Sequence, residues 1–393
     1  IGYRNHSQKI IDLVAKNKNI KNINVFSYKK KPNIKNISQS SKVKIVFYLN
    51  ELNNSDAIII ASPSKTHKKY LNYFIKKNKY IFCEKPACNS KKDYIFLKNL
   101  NSKDKKKIHI NYNLLFSRHY KIINSIIKNK KKYGKMIYLE IKLTNGISFK
   151  KNFQNNWRFK SKNIFEQIAG NLGVHYVNLF ISLFGDILKK NIYKLSNNKK
   201  NDSSLLVLKS KSNKLASFYF SYSSPLTDEI NIYFTNAVIK INDNKVILVY
   251  PRDTFDKKGY FINPRHSTLH NFHQSKEYED SIKNSLNFFI KKVKSKSAFS
   301  LAQYNNALKT LKFFLWTANQ YGKKAEKIIP GENGLLSYRP KRFLPIGWPT
   351  YYKYASSFLS EDAHPSFLFI FFWYLVKFGF FFKKLINWYI LTV

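Results

Sequence analysis

Ala57-Ile58-Ile59-Ile60-Ala61 is an uninterrupted apolar run, and Ser62-Pro63-Ser64 ends it abruptly. A strand with one face in water alternates apolar and polar residues; a strand covered by helices on both faces need not. The run therefore predicts a strand of a parallel sheet. Tyr80–Cys83 repeats the pattern, and Glu84-Lys85-Pro86 ends it. Between them Tyr70, Leu71, Phe74 and Ile75 share one helical face, and Ser64 is placed to cap that helix. Asn24–Tyr28, Ile45–Leu49 and Ile108–Tyr112 read as further strands, and Ser90–Leu100 as another helix. Strand and helix in alternation with short connections predict an α/β, doubly wound parallel sheet.

The pattern changes near Met136. Met136–Leu143, Ser204–Lys209, Leu215–Ser221, Glu229–Ile241 and Val246–Tyr250 are strand-like with few helices between them. This predicts a large, mostly antiparallel sheet open on one face. A helix over Gly170–Phe184, with Gly185 as its C-cap, interrupts it, and helices over Tyr278–Lys294 and Leu301–Tyr321 follow. We expect three parts: 1–118, 119–328 and an aromatic-rich extension, 329–393. Within that extension residues 367–393 are rich in Phe and Trp but broken by Lys377, Lys383 and Lys384. About 20 apolar residues are needed to cross a bilayer, so three placements are open to this segment: peripheral contact with a membrane surface, packing on the body of the protein, or covering a partner.

The chain has 70 basic and 22 acidic residues, a net charge of +48. Only seven of the basic residues are Arg, and the Lys are spread along the whole chain. A surface that reads nucleic acid recruits Arg for its bidentate fork, so no nucleic-acid partner is expected. The two cysteines, Cys83 and Cys88, offer no disulfide framework or zinc-ligand spacing, consistent with a cytoplasmic location. His266, His270 and His273 recur in a segment read as irregular, without a carboxylate or thiol to complete a metal set. No metal is expected. The only Met is Met136, so the natural chain is expected to begin further upstream.

Ligands of open α/β sheets bind beyond the carboxyl ends of the strands, where Ser62 and Lys85 both lie. Pro86 keeps Lys85 out of helical geometry, holding its ammonium extended. The segment with Ser62, Pro63, His67 and Glu84-Lys85-Pro86, in that order and spacing, resembles the signature of the Gfo/Idh/MocA oxidoreductases. The stretch from Trp157-Arg158 through Asn171 and His175 is similar to a second motif of that family. The resemblance spans about residues 1–328. It implies a Rossmann domain binding NADP or NAD, and a C-terminal domain that binds substrate and self-associates through its sheet.

Asn171, His175, Asn178 and Ser182 follow i, i+4, i+7 and i+11, a polar stripe on an otherwise apolar helix. Such a stripe needs partners, and substrate hydroxyls are suitable. Where the family has Asp, this chain has Asn171 and Asn178, and Leu115 replaces an Arg. An amide orients a hydroxyl but takes no proton, so His175 is the expected general base, with Lys85 and Asn171 beside it. Lys85, Asn113, Trp157, Arg158, Asn171 and His175 are the expected substrate contacts. The opening "IGYRNHS" keeps only Gly2 of a Gly-x-Gly-x-x-Gly turn; Arg4 and Ser7 replace the others. The expected cofactor contacts there are Gly2, Arg4, Asn5 and His6. The strand ends add Ser62, Pro63, Ser64, His67, Glu84, Lys85 and Asn113. Asn24–Lys31 holds no acidic residue, and Ser27 with Lys29 and Lys30 favours a 2′-phosphate, hence NADP slightly over NAD. The expected activity is hydride transfer between nicotinamide and a hydroxyl carbon of a sugar, inositol or sugar nucleotide. The alternative is a catalytically impaired cofactor-binding module serving surface-polysaccharide synthesis at a membrane.

Overall fold

The structure, a computed structural model, describes residues 1–28, 37–155, 163–195, 202–242, 244–250 and 255–325. Lys29, Lys30, Trp157, Arg158 and the extension beyond residue 329 lie outside the described residues. Contacts divide the chain into Ile1–Ile329 and Pro330–Val393, and the boundary expected at 118/119 falls within the first unit.

The chain opens with helix α1 (Asn5–Ala15) and strands β1 (Ile23–Phe26) and β2 (Val43–Val46), which pair in parallel. Strand β3 (Ala57–Ile60), helix α2 (His67–Lys76), strand β4 (Tyr80–Glu84), helices α3 (Lys91–Asn99) and α4 (Ser102–Lys105) and strand β5 (Ile108–Asn111) follow. β3, β4 and β5 form a parallel sheet in that order. Ile1 adds one residue of pairing beside β3: its nitrogen donates to the Ile59 carbonyl and its own carbonyl accepts from Ala61 N–H. Ile58, Ile60, Ile81, Phe82 and Cys83 are all buried, as strands covered on two faces require. Ser90 caps α3 by accepting from Asp93 N–H at 3.1 Å. Ser64 does not cap α2. Thr66 instead closes a 3₁₀ turn over Ser64–Thr66 with its N–H and hydroxyl on the Pro63 carbonyl.

Helices α5 (Arg118–Lys128) and α6 (Lys130–Tyr133) lead into strand β6 (Met136–Thr144). After helices α7 (Ile168–Asn171) and α8 (Gly173–Phe184) come β7 (Ile187–Lys194), β8 (Ser203–Ser210), β9 (Leu215–Ser221), β10 (Thr227–Phe234), β11 (Val238–Asn242), β12 (Lys245–Val249) and β13 (His266–Asn271). These eight strands form one sheet in the order β13-β12-β11-β10-β6-β9-β8-β7, antiparallel except for β6 against β9. Helices α9 (Gln274–Lys294) and α10 (Leu301–Ala325) complete the described fold.

Four expectations change. Glu229–Ile241 is two strands, because Phe234 N–H closes a turn onto the Ala237 carbonyl around Thr235 and Asn236. The helix expected over Gly170–Phe184 is broken at Leu172 into α7 and α8. His266 and His270 stand on edge strand β13 rather than in irregular chain. Helix α9 begins at Gln274, four residues before the expected start, and returns to the parallel sheet: Ser285 Oγ donates to Asn111 Oδ1 at 2.7 Å.

Candidate active-site cleft

A cleft of about 1950 Å³ opens at the carboxyl ends of β3 and β4 and is closed on the other side by α8, β10 and α9. Pockets for one small molecule occupy ~300–1000 Å³, so this volume admits a dinucleotide and a second ligand.

Gly2 starts the first wall. Its φ is +116°, and a Cβ there would stand 2.7 Å from the Ala61 carbonyl oxygen, so only glycine brings the chain this close to the end of β3. Ser7 makes the same approach from α1, buried, with Oγ donating to Ala61 O at 2.7 Å. No side chain caps the N-terminus of α1, whose N-cap residue Arg4 lines the cleft with Asn5 and His6. A helix N-terminus with an Arg beside it suits a diphosphate.

Glu84 forms the floor. It is buried, and its Oε1 lies 3.2 Å from His6 Nε2 while accepting from Asn111 Nδ2 at 2.7 Å. Oε2 accepts from the N–H of Lys85 at 3.2 Å. Burial opposes ionisation, but the bond and charge of His6, with Asn111 and Lys85, outweigh it and hold the carboxyl below its ordinary range. The Lys85–Pro86 peptide is cis, and Lys85 Nζ donates to the Asn171 carbonyl at 3.0 Å. The side chain of Asn171 in turn donates to Tyr222 Oη at 2.8 Å.

His175 faces the same cleft from α8. Its Nδ1 is buried without a hydrogen-bond partner. Burial, then the positive charges of Lys85 and His6, push its imidazole well below the ordinary value, so it is neutral at pH 7. Lys85, Asn171 and His175, some 90 residues apart in sequence, thus meet at one place.

Other expected residues are placed differently. Ser27 is fully buried and bonds toward Tyr3, so it is closed to a cofactor phosphate. Asn178 is 1% exposed and donates to Thr310 Oγ1 at 3.0 Å, turned away from the cleft by α10. His67 reaches the cleft wall but is buried, its Nε2 2.7 Å from the Ser62 carbonyl and Nδ1 3.0 Å from the Pro86 carbonyl. It ties the ends of β3 and β4 together. Asn113 lines the cleft with its amide committed to Ser281 Oγ at 2.7 Å. Ser62, Pro63 and Ser64 line it as expected.

The sequence reading missed Asp228, Glu277 and Glu166, all of which line the cleft. Asp228 is the second residue of β10 and accepts from Gln274 Nε2; burial raises its carboxyl above the ordinary range. Glu277 accepts from Arg118 N–H at 2.6 Å. The available signal was an acidic pair, Asp228-Glu229, directly after a Pro-bearing turn in a chain dominated by Lys.

Among the described residues no cluster of His, Cys, Asp and Glu could hold a metal ion, and no helix is long and apolar enough to cross a membrane.

Residues 1–112 match the model of the GFO_IDH_MocA oxidoreductase family with the NAD-binding Rossmann fold. A comparison with curated protein sequences finds no match. Among solved structures, an oxidoreductase of Desulfitobacterium hafniense described as NADPH-dependent superposes with TM-score 0.66 at 15% identity, over 82% of this chain and 94% of that one. A myo-inositol dehydrogenase of Corynebacterium glutamicum gives 0.64 at 14% identity, over 82% and 95%. A UDP-N-acetylglucosamine 3-dehydrogenase of Acidithiobacillus ferrooxidans gives 0.61 at 11% identity, over 81% and 94%. Residues 1–112 thus match the NAD-binding Rossmann domain of the Gfo/Idh/MocA oxidoreductase family, and the described fold, parallel strands followed by a large mostly antiparallel sheet, is that of solved oxidoreductases.

Proposed function

We propose that this chain is an NAD(P)-dependent dehydrogenase acting on a CH–OH group of a sugar-like substrate. The observation that supports it most is the meeting of the Lys85 ammonium, held on the Asn171 carbonyl, with the neutral imidazole of His175 in one cleft. The residues present fit a dinucleotide: Gly2 leaves a cradle that a Cβ would fill, and the uncapped start of α1 opens beside it. When bound, nicotinamide supplies the hydride acceptor, or the donor in the reverse direction. His175 takes the hydroxyl proton as the carbon gives up hydride. The Lys85 ammonium stabilises the charge developing on that oxygen, and Tyr222 fixes Asn171 so that its carbonyl positions Lys85.

NADP is favoured over NAD. Ser27 is no longer a support for this; what remains is the lack of an acid directly after β1 and the cations Arg4, Lys65 and Lys69 in the wall. The chain further divides by function at about residue 118, and copies associate through the open face of the eight-stranded sheet, where Ile137 and Leu215 are exposed.

NADPH fluorescence titration tests the cofactor reading. The full chain should enhance the signal with a saturable curve, and Gly2→Val should weaken binding at least ~10-fold, because the new methyls meet the Ala61 carbonyl. Equal affinity of the two proteins would remove the dinucleotide reading.

The lowered pKa of His175 has a signed consequence. Its base form persists as pH falls past the ordinary imidazole value of ~6.5. Activity in the oxidation direction should therefore hold below that pH and fall only as the depressed pKa is crossed. The same neutral burial stabilises the fold above the unfolded pKa and is lost as pH falls through the folded one. An acid limb at or above ~6.5 in kcat would contradict a buried, neutral His175 as the base.

A further inference from the structure

The cleft is divided by charge. Arg4, Lys65, Lys69 and Lys85 line it from the first 112 residues, with Glu84 the single carboxylate on that side. Every charged residue other than histidine that lines it from beyond residue 112 is acidic: Glu166, Asp228, Glu229 and Glu277. No described Lys or Arg from that part of the chain reaches the wall. In a protein with 70 basic and 22 acidic residues, a wall of four carboxylates runs against the composition.

Asp228 is the enclosed member of that wall with no cation beside it. Glu229 has Lys142 at 3.7 Å, and Glu277 accepts from the main-chain N–H groups of Arg118 and His119. Asp228 has Gln274, a neutral donor, and no cation within ion-pair distance among the described residues. Burial raises its carboxyl, and its charge reaches Tyr176, the neighbour of His175. Two buried imidazole nitrogens without partners, His175 Nδ1 and His119 Nε2, belong to residues lining the same wall. That wall can accept hydrogen bonds from a ligand's hydroxyls but repels a ligand's negative charge at close range, where solvent screens poorly.

We propose that Asp228 and the acidic wall around it select uncharged, hydroxyl-rich substrates and exclude phosphorylated, carboxylated or nucleotide-linked ones. The inference deepens the dehydrogenase reading, on which it rests. Recognition of the dinucleotide diphosphate is left to the basic half of the cleft, so the two ligands are sorted by charge before any chemistry.

The test uses the full chain with saturating NADP⁺ and four probes: glucose, glucose 6-phosphate, myo-inositol and UDP-N-acetylglucosamine. Ligand-observed saturation-transfer NMR measures binding without turnover, and NADPH formation measures rate. The neutral probes should bind at least ~100-fold more tightly than the anionic ones. Asp228→Asn, nearly isosteric, should reduce that ratio to within ~10-fold, chiefly by improving Kd and KM for the anionic probes, with NADPH affinity unchanged. Asp256→Asn, on a remote turn, should leave the ratio unaltered. Anionic probes that bind as well as neutral ones, a ratio indifferent to Asp228→Asn, or binding of none of the four overturns the proposal. Loss of NADPH binding alone would sink the dinucleotide reading, while the NMR preference, read without cofactor, still judges the acidic wall.

Discussion

Lys85→Ala is expected to lower kcat by about 10²–10⁴-fold, the range for removing a positioned group that acts on the transferring proton or the charge it leaves. NADPH affinity should stay within about threefold of the parent, because the proposed diphosphate wall at Gly2, Arg4 and α1 does not involve this side chain. Lys85 Nζ stands 3.0 Å from the Asn171 carbonyl, four residues before His175, and its charge already bears on that imidazole. Removing it leaves the carbinol oxygen without a cation just as negative charge builds there. His175→Ala should cost a similar factor, and the double variant little more than either single one, since groups acting in one step are not additive. Fully additive losses would mean that the two residues serve separate purposes. Unchanged turnover in both variants, with NADPH still bound, would favour a cofactor-binding module without catalysis.

The parts of this arrangement differ in how openly the sequence displays them. Ala57–Ala61 and Tyr80–Glu84 were legible because burial on both faces leaves a local mark, a run without polar interruption, and the residues at their carboxyl ends border the cleft. The contact of Lys85 with Asn171 bridges 86 residues and left no local mark; family resemblance paired them. The polar stripe over Asn171, His175 and Asn178 assumed one continuous cylinder. The break at Leu172 ends that geometry, and Asn178 went to a partner 132 residues away, Thr310. Ser27 looked available because small polar residues at strand ends usually are, yet Tyr3 and the end of β2 enclose it: its N–H donates to the Val46 carbonyl. Asp228 was hidden for the opposite reason. It falls one residue before the strand expected from Glu229, where no pattern marks it, and only the return of α9 with Gln274 encloses it.

Phe82→Ala should destabilise the protein by roughly 3–5 kcal/mol, the usual cost of truncating an enclosed phenylalanine. Phe82 is 0% exposed in the middle of β4, with its ring 5.5 Å from Phe289 in an edge contact and 5.3 Å from His109. Phe289 stacks on Phe299 at 5.7 Å, and Ile10, Val14, Ile282, Leu286 and Ile290 complete the cluster. This cluster fastens α9, which comes late in the chain, to the parallel sheet and to α1. The consequence reaches the cleft by a short route. The same helix supplies Ser285 to Asn111, Asn111 holds Glu84, and Glu84 lies two residues beyond Phe82 on β4. A void at position 82 therefore slackens the floor on which Lys85 is carried. A melting temperature lower by about 10 °C is expected, at ~2–4 °C per kcal/mol for a domain of this size, together with weaker NADPH binding. Phe82→Leu, which refills most of the space, should recover the larger part of both. Urea unfolding that reports a loss below about 1 kcal/mol for Phe82→Ala would show that α9 is not anchored through this ring and that the cleft floor takes its rigidity from elsewhere.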